Sequence, residues 1–207
     1  MNTIPMNKIL IAVSTFTIAF TLAVPAADAA GRAKARGAKP NAEGGITAGR
    51  ASAVRGPNGG GAMRGRAVAT DGEGNGKAAS GGAYRGPNGG TGARAGSTQW
   101  NADGSAQHQG GAQWNGQNSS GSTQGSFNRN ADGSVSGQRT TAATGAQGGS
   151  YNADTNYANG TLDRNVDATG RNGNSYESTI NGTKGEGVTR TATCTDASGA
   201  TIPCKGG

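Results

Sequence analysis

What most constrains this chain is how little it has to bury. Beyond residue 30 its only Leu, Ile, Val and Phe residues are Ile46, Val54, Val68, Phe127, Val135, Leu162, Val166, Ile180, Val188 and Ile202. Four Tyr and two Trp complete the large apolar set. Burying one such side chain gains about 1.5–3 kcal/mol, whereas ordering the backbone of one residue costs about 1–2 kcal/mol. Sixteen large side chains cannot offset the ordering of so long a chain around one interior. A conventional enzyme-sized core is therefore excluded, and with it most catalytic folds. The 40 glycines among 207 residues add to the entropy that folding must overcome.

Residues 1–29 read as a signal peptide. Lys8 precedes an apolar stretch from Ile9 to Val24, Pro25 opens a run of small residues, and Ala27-Asp28-Ala29 fits the small-x-small cleavage rule. The expectation is an exported protein, secreted, periplasmic or at the cell surface, with no membrane span in the mature chain. The only two cysteines, Cys194 and Cys204, lie ten residues apart near the C-terminus. Outside the cytosol such a pair is expected to form a disulfide.

Charge divides the chain. Residues 31–100 carry 11 Lys or Arg against Glu43, Asp71 and Glu73, whereas residues 101–207 carry 7 against 8 acids. Residues 30–95 hold almost no large apolar side chain, and this composition predicts a disordered, basic, Gly-rich segment. Within it Arg32, Lys34, Arg36, Lys39, Arg50, Arg55, Arg64, Arg66, Arg85 and Arg94 are the candidate polyanion-binding residues, because Arg in flexible Gly-rich chain neutralises phosphates. The segment contains one repeat, Arg55-Gly56-Pro57-Asn58-Gly59-Gly60, recurring as Arg85-Gly86-Pro87-Asn88-Gly89-Gly90. Pro followed by Asn-Gly is turn chemistry.

Residues 96–207 are punctuated by Asn-Gly and Asp-Gly pairs, the local signals for tight hairpins in which both central residues take positive φ. Asn101-Ala102-Asp103-Gly104-Ser105 recurs as Asn130-Ala131-Asp132-Gly133-Ser134. Trp100, Trp114 and Phe127 follow one another at 13 to 14 residues, and Tyr151, Leu162, Tyr176 and Val188 at 11 to 14. The expectation is a polar β-meander, or a β-solenoid-like array of strand–turn units, with one apolar stripe. It ends in a hairpin closed by the Cys194–Cys204 bridge. The fold class is thus mostly β with extensive disorder.

No catalytic constellation emerges. There is no Gly-x-Ser-x-Gly, and the single histidine, His108, lies in a polar Gln-His-Gln setting. The loop opening at Asn128 mimics a calcium loop but has Arg139 where a bidentate Glu is required. No cofactor, resident metal or small-molecule substrate is expected.

Asn165-Val166-Asp167-Ala168-Thr169-Gly170-Arg171 resembles the strand–turn core of bacterial YD-type repeats, with Val166 in place of the motif's tyrosine. Gln113-Trp114-Asn115-Gly116-Gln117-Asn118-Ser119 is similar to a stretch of curlin repeats, the subunits of curli fibres. Both resemblances imply a secreted, repetitive β protein of the bacterial envelope. The expected role is a non-enzymatic structural or interaction protein of the envelope or matrix. Its expected partners are acidic polymers (extracellular DNA, lipopolysaccharide, acidic glycan) or copies of itself in an amyloid-like fibre.

Overall fold

The computed structural model describes residues 31–204, and the expected signal peptide lies outside the described residues. The described chain is a single antiparallel meander of thirteen strands, laid side by side in sequence order. They are β1 (Gly31–Pro40), β2 (Ile46–Arg55), β3 (Gly61–Thr70), β4 (Gly76–Arg85), β5 (Thr91–Trp100), β6 (Ala106–Asn115), β7 (Ser119–Arg129), β8 (Val135–Gly145), β9 (Ser150–Ala158), β10 (Thr161–Thr169), β11 (Ser175–Thr183), β12 (Gly187–Thr195) and β13 (Thr201–Ile202). Among the described residues no helix is long and apolar enough to cross a membrane.

The expected disorder over 30–95 is replaced by strands β1 to β5, and β5 runs straight across the expected boundary at residue 96. The physical reason is that this sheet has no interior to fill. Each strand is ordered by backbone pairing, with one neighbour at the edges β1 and β13 and with two elsewhere, so Gly and Ala, too small to build a core, suffice to continue the ladder. From β1 to β6 the strands begin every fifteen residues, at 31, 46, 61, 76, 91 and 106. The Arg-Gly-Pro-Asn-Gly-Gly repeat is therefore one hairpin long.

The connections differ from the expected two-residue hairpins. The pairs at 58–59, 88–89, 103–104, 132–133 and 172–173 sit inside five-residue loops, where only the glycine at the fourth position is left-handed. In the loop Asn101–Ser105, Gly104 has φ 84°. The Asn101 amide donates to the Ser105 carbonyl at 2.9 Å, and Gly104 N–H donates to the Asn101 carbonyl at 3.0 Å. The loop Asn130–Ser134 repeats this arrangement, with both distances 2.9 Å and Gly133 at φ 83°. Only at 159–160 do both residues of an Asn-Gly pair adopt positive φ, 51° and 87°.

The ladder registers are uninterrupted from β1 to β13, so side-chain alternation carries across the whole sheet. All sixteen large Leu, Ile, Val, Phe, Tyr and Trp side chains fall on one face, here called the front. Met63 is on the other, the back. The apolar residues do not form a single stripe: Tyr84, Trp114, Tyr151 and Tyr176 lie toward one end of the strands, Trp100, Phe127, Tyr157 and Leu162 toward the other. Three rings lie against glycines directly across the ladder, where a Cβ would stand 2.2 Å from Trp100 at Gly76, 2.3 Å from Tyr84 at Gly92 and 2.5 Å from Trp114 at Gly121. Each ring thus shields backbone that the glycine leaves bare.

This is a single layer. Ala153 and Ser178 are buried at 3% and 6% exposure, whereas Ile46, Val54, Tyr84 and Val188 are half exposed or more. At the C-terminal margin Cys194 and Cys204 are joined, with Cα atoms 5.3 Å apart. The bridge ties down a return strand that pairs with β12 only at Cys194–Ile202 and Thr195–Thr201.

Candidate polyanion-binding face

The site begins with strand parity. In β1 the cations Arg32, Lys34 and Arg36 alternate with small residues, so all three lie on the front. Arg36 is directly opposite Arg50, and Arg50 directly opposite Arg66. Three guanidinium groups therefore stand in one row across β1, β2 and β3, at the interstrand spacing of about 4.8 Å. The parallel row holds Lys34, Ser52 and Arg64. Arg64 Nε donates to Ser52 Oγ at 3.2 Å, which holds that guanidinium over the middle strand. Arg32 stands opposite Val54, and Arg94 opposite Gly82. One shallow groove on this face is lined by Arg32, Ser52, Arg64, Arg94, Tyr84 and Trp114. A second is lined by Arg36, Arg50, Arg66 and Val68.

Seven of the ten candidate cations thus come together on the front, and three do not. Lys39 pairs with Thr47, Arg55 with Gly31 and Gly61, and Arg85 with Gly61 and Thr91, all on the back at strand ends. The sequence reading missed four further front cations, Arg129, Arg139, Arg164 and Arg190, because it confined the basic function to the first part of the chain. The available signal was parity: Arg129 is two residues from Phe127, and Arg164 two from both Leu162 and Val166.

The two classes of arginine differ in their surroundings. Arg164 Nη2 donates to the Tyr151 hydroxyl at 2.9 Å, and Arg190 donates to the Tyr176 hydroxyl with its guanidinium 6.0 Å from that ring's centroid. Both bond tyrosine hydroxyls, and Arg190 also gains cation–π attraction from the Tyr176 ring. The β1–β3 cluster has no aromatic partner of this kind.

The electrostatics of the front are one-signed. Eleven cations project from its strands, and every carboxylate of a strand (Asp154, Asp163, Asp167 and Glu177) falls on the back. Like charges directly opposite each other in a ladder are destabilising. The Arg36–Arg50–Arg66 row is therefore held at a cost that an anion lying across it would remove.

The remaining carboxylates lie mostly in loops. Asp103 accepts from the Ser105 amide at 2.8 Å, and Asp132 accepts from the Ser134 amide at 2.8 Å. Hydrogen bonds from Ser105 and Ser134, side chain first and backbone second, hold these carboxyls below their ordinary 3.8. Asp71, bonded chiefly by the Asn75 side chain, and Asp196, bonded chiefly by the Ser198 side chain, are lowered in the same way. They are loop pins, each fastening the glycine turn beside it.

His108, on the front, has Nδ1 2.8 Å from Thr98 Oγ1. Among the described residues no three His, Cys, Asp or Glu side chains are grouped to hold a metal ion. No protein-family model, curated protein or solved structure matches the chain.

Proposed function

We propose that this protein is a non-enzymatic structural component of the bacterial cell surface or matrix that binds acidic polymers through its front face. One observation carries the reading: Arg36, Arg50 and Arg66 form a continuous row on a face whose strands hold no carboxylate. Compared with the flexible basic arm expected from composition, the sheet sets its cations at a fixed pitch. Less side-chain and backbone freedom is then lost when a polymer binds. Affinity comes from counterion release at the arginines. The exposed ring of Tyr84 and the half-buried ring of Trp114 in the same groove add stacking surface for bases or sugar faces.

The test compares two variants with the same change in net charge. Arg36→Gln, Arg50→Gln, Arg66→Gln empties the front row; Lys39→Gln, Arg55→Gln, Arg85→Gln removes three cations from the back. Binding to fluorescent single-stranded DNA and to heparin is titrated by anisotropy across a salt series. The front variant is expected to lose at least tenfold in affinity and to flatten the log–log salt slope by about 2–3, at about 0.7–0.9 per lost contact. The back variant should stay within about threefold of wild type, the small loss expected of long-range charge alone. Equal losses in the two variants would refute a sited face and leave only net charge.

A further inference from the structure

We propose that, when no polymer is bound, the protein forms an open stack in which the front of one copy lies on the back of the next, each rotated by half a turn about the stacking axis, so that the neighbour's acids and an acidic polymer compete for the front.

A single-layer sheet with sixteen large apolar residues on one face lacks the second layer that normally completes a domain. Front-to-front pairing of two copies fails on charge, because eleven cations would meet eleven cations with no strand carboxylate between them. Front-to-back pairing does not fail, because the two faces are complementary at both ends of the sheet.

The back of β9–β11 carries the acids Asp154, Asp163, Asp167 and Glu177, with Asp167 directly opposite Glu177. This is a like-charge pair as unfavourable by itself as the arginine row on β1–β3. Each patch spans three strands and four to five residues along a strand, roughly 10 Å by 13 Å at standard strand spacings. Half a turn about a sheet normal passing through β6 carries β1–β3 of one copy over β11–β9 of the next. Arg36, Arg50 and Arg66 of one copy are thereby brought to the acidic patch of the other.

The same rotation settles the other end. The back of β1–β3 is Ala33, Ala35, Ala51, Ala53, Gly65 and Ala67 around Met63, a small-residue surface with charge only at strand ends. It receives the most apolar part of the front, with Leu162, Val166 and Ile180 flanked by Tyr151 and Tyr176. Large side chains meet small ones, the condition for interdigitation between sheets about 10 Å apart. Arg164, the one cation on the front of β9–β11, is already bonded to the Tyr151 hydroxyl. An overlap eleven strands wide and ten residues long measures about 53 Å by 33 Å, so it buries about 3,500 Å² in total, the size of an obligate interface. The contact joins different surfaces, so it does not close and the stack grows from both ends.

The experiment uses two charge-reversed full-length chains and no polymer, so its outcome is independent of polyanion binding. Variant one carries Asp163→Lys, Asp167→Lys, Glu177→Lys; variant two carries Arg36→Glu, Arg50→Glu, Arg66→Glu. Both are checked for β content by circular dichroism and for the 194–204 bridge by peptide mapping. Sedimentation of wild type is expected to show mass rising with concentration and falling with salt. Each variant alone should associate at least tenfold more weakly. Mixed one to one, they should reassemble, because each contact then joins a native face to a native face or a reversed face to a reversed face. A monomeric wild type at every concentration, either variant assembling like wild type, or folded variants that stay apart when mixed would each overturn the proposal.

Discussion

Arg50 occupies the middle of the arginine row, and removing its charge should stabilise the protein while weakening its binding. Its neighbours Arg36 and Arg66 sit across the ladder on either side, with guanidinium groups about 5 Å away by strand spacing. At that separation in water the repulsion is about 0.8 kcal/mol per pair. A Debye length of about 10 Å at 0.1 M salt reduces it to about 0.5 kcal/mol. Two neighbours make about 1 kcal/mol, with the destabilising sign expected of like charges directly opposite in a ladder. Arg50→Gln keeps two of the three methylenes and a polar head while removing the charge, so its unfolding free energy in dilute solution should rise by about 1 kcal/mol at 0.1 M salt. In 1 M salt, where the Debye length is about 3 Å, the gain should shrink to about 0.3 kcal/mol. Urea unfolding followed by the fluorescence of Trp100 and Trp114 measures the first quantity, and anisotropy with single-stranded DNA measures the loss of affinity in the same protein. A variant less stable than wild type, or a gain unchanged by salt, would show that the row is not under repulsive load.

Further consequences concern the loops and margins. Cys194→Ser, Cys204→Ser should cost about 2–3 kcal/mol of local stability by the chain-entropy model for a loop of this size. Amide exchange should rise over residues 196–204 and stay unchanged in β1–β8. Gly121→Val places a Cβ 2.5 Å from the Ala142 carbonyl and from the Trp114 ring, so it should destabilise by about 1–3 kcal/mol and shift tryptophan emission to the red. For Asp103 and Asp132 the folded carboxyls are held below their ordinary 3.8. Their contribution is therefore present in full above that value and is lost as pH falls through the lowered folded ones. Amide exchange at Ser105 and Ser134, corrected for intrinsic pH dependence, should accelerate below pH 3.8 but not between pH 5 and 7.

The C-terminal hairpin was legible because its signals are local. Val188–Cys194 is β-rich, Asp196-Ala197-Ser198-Gly199 is turn chemistry, and Pro203 ends the return strand. The meander was legible, as one of two alternatives, from the spacing of Trp100, Trp114, Phe127 and their successors. Strands β1 to β5 were not read because their alternation is written in charge. In Gly31-Arg32-Ala33-Lys34-Ala35-Arg36 every second residue is a cation and the others are too small to register as apolar. A period of two in charge places residues on one face as surely as a period of two in hydropathy. The face itself was half legible, since the cations were named but the register Arg36–Arg50–Arg66 depends on loop lengths. The Asn-Gly pairs at 172–173 and 181–182 look alike in sequence. One lies in a loop and the other inside β11, because the partner strand decides where pairing stops.

The fifteen-residue strand unit also governs how a chain like this can change length. Because fifteen is odd, successive units begin on opposite faces: Ile46 opens β2 on the front and Gly61 opens β3 on the back. Excising 46–60 would set Gly61 against Pro40 and turn every later strand over, sending the aromatic rings and the acids to the wrong sides. Excising 61–90 would join Arg55-Gly-Pro-Asn-Gly-Gly to Thr91 through a loop identical to the one removed, with Thr91 on the same side that Gly61 held. Lengthening or shortening by thirty residues therefore preserves both surfaces, whereas fifteen scrambles them. Descendants of such a sheet would gain and lose whole hairpins, and the twin Arg-Gly-Pro-Asn-Gly-Gly loops are the seam at which one could be copied or dropped.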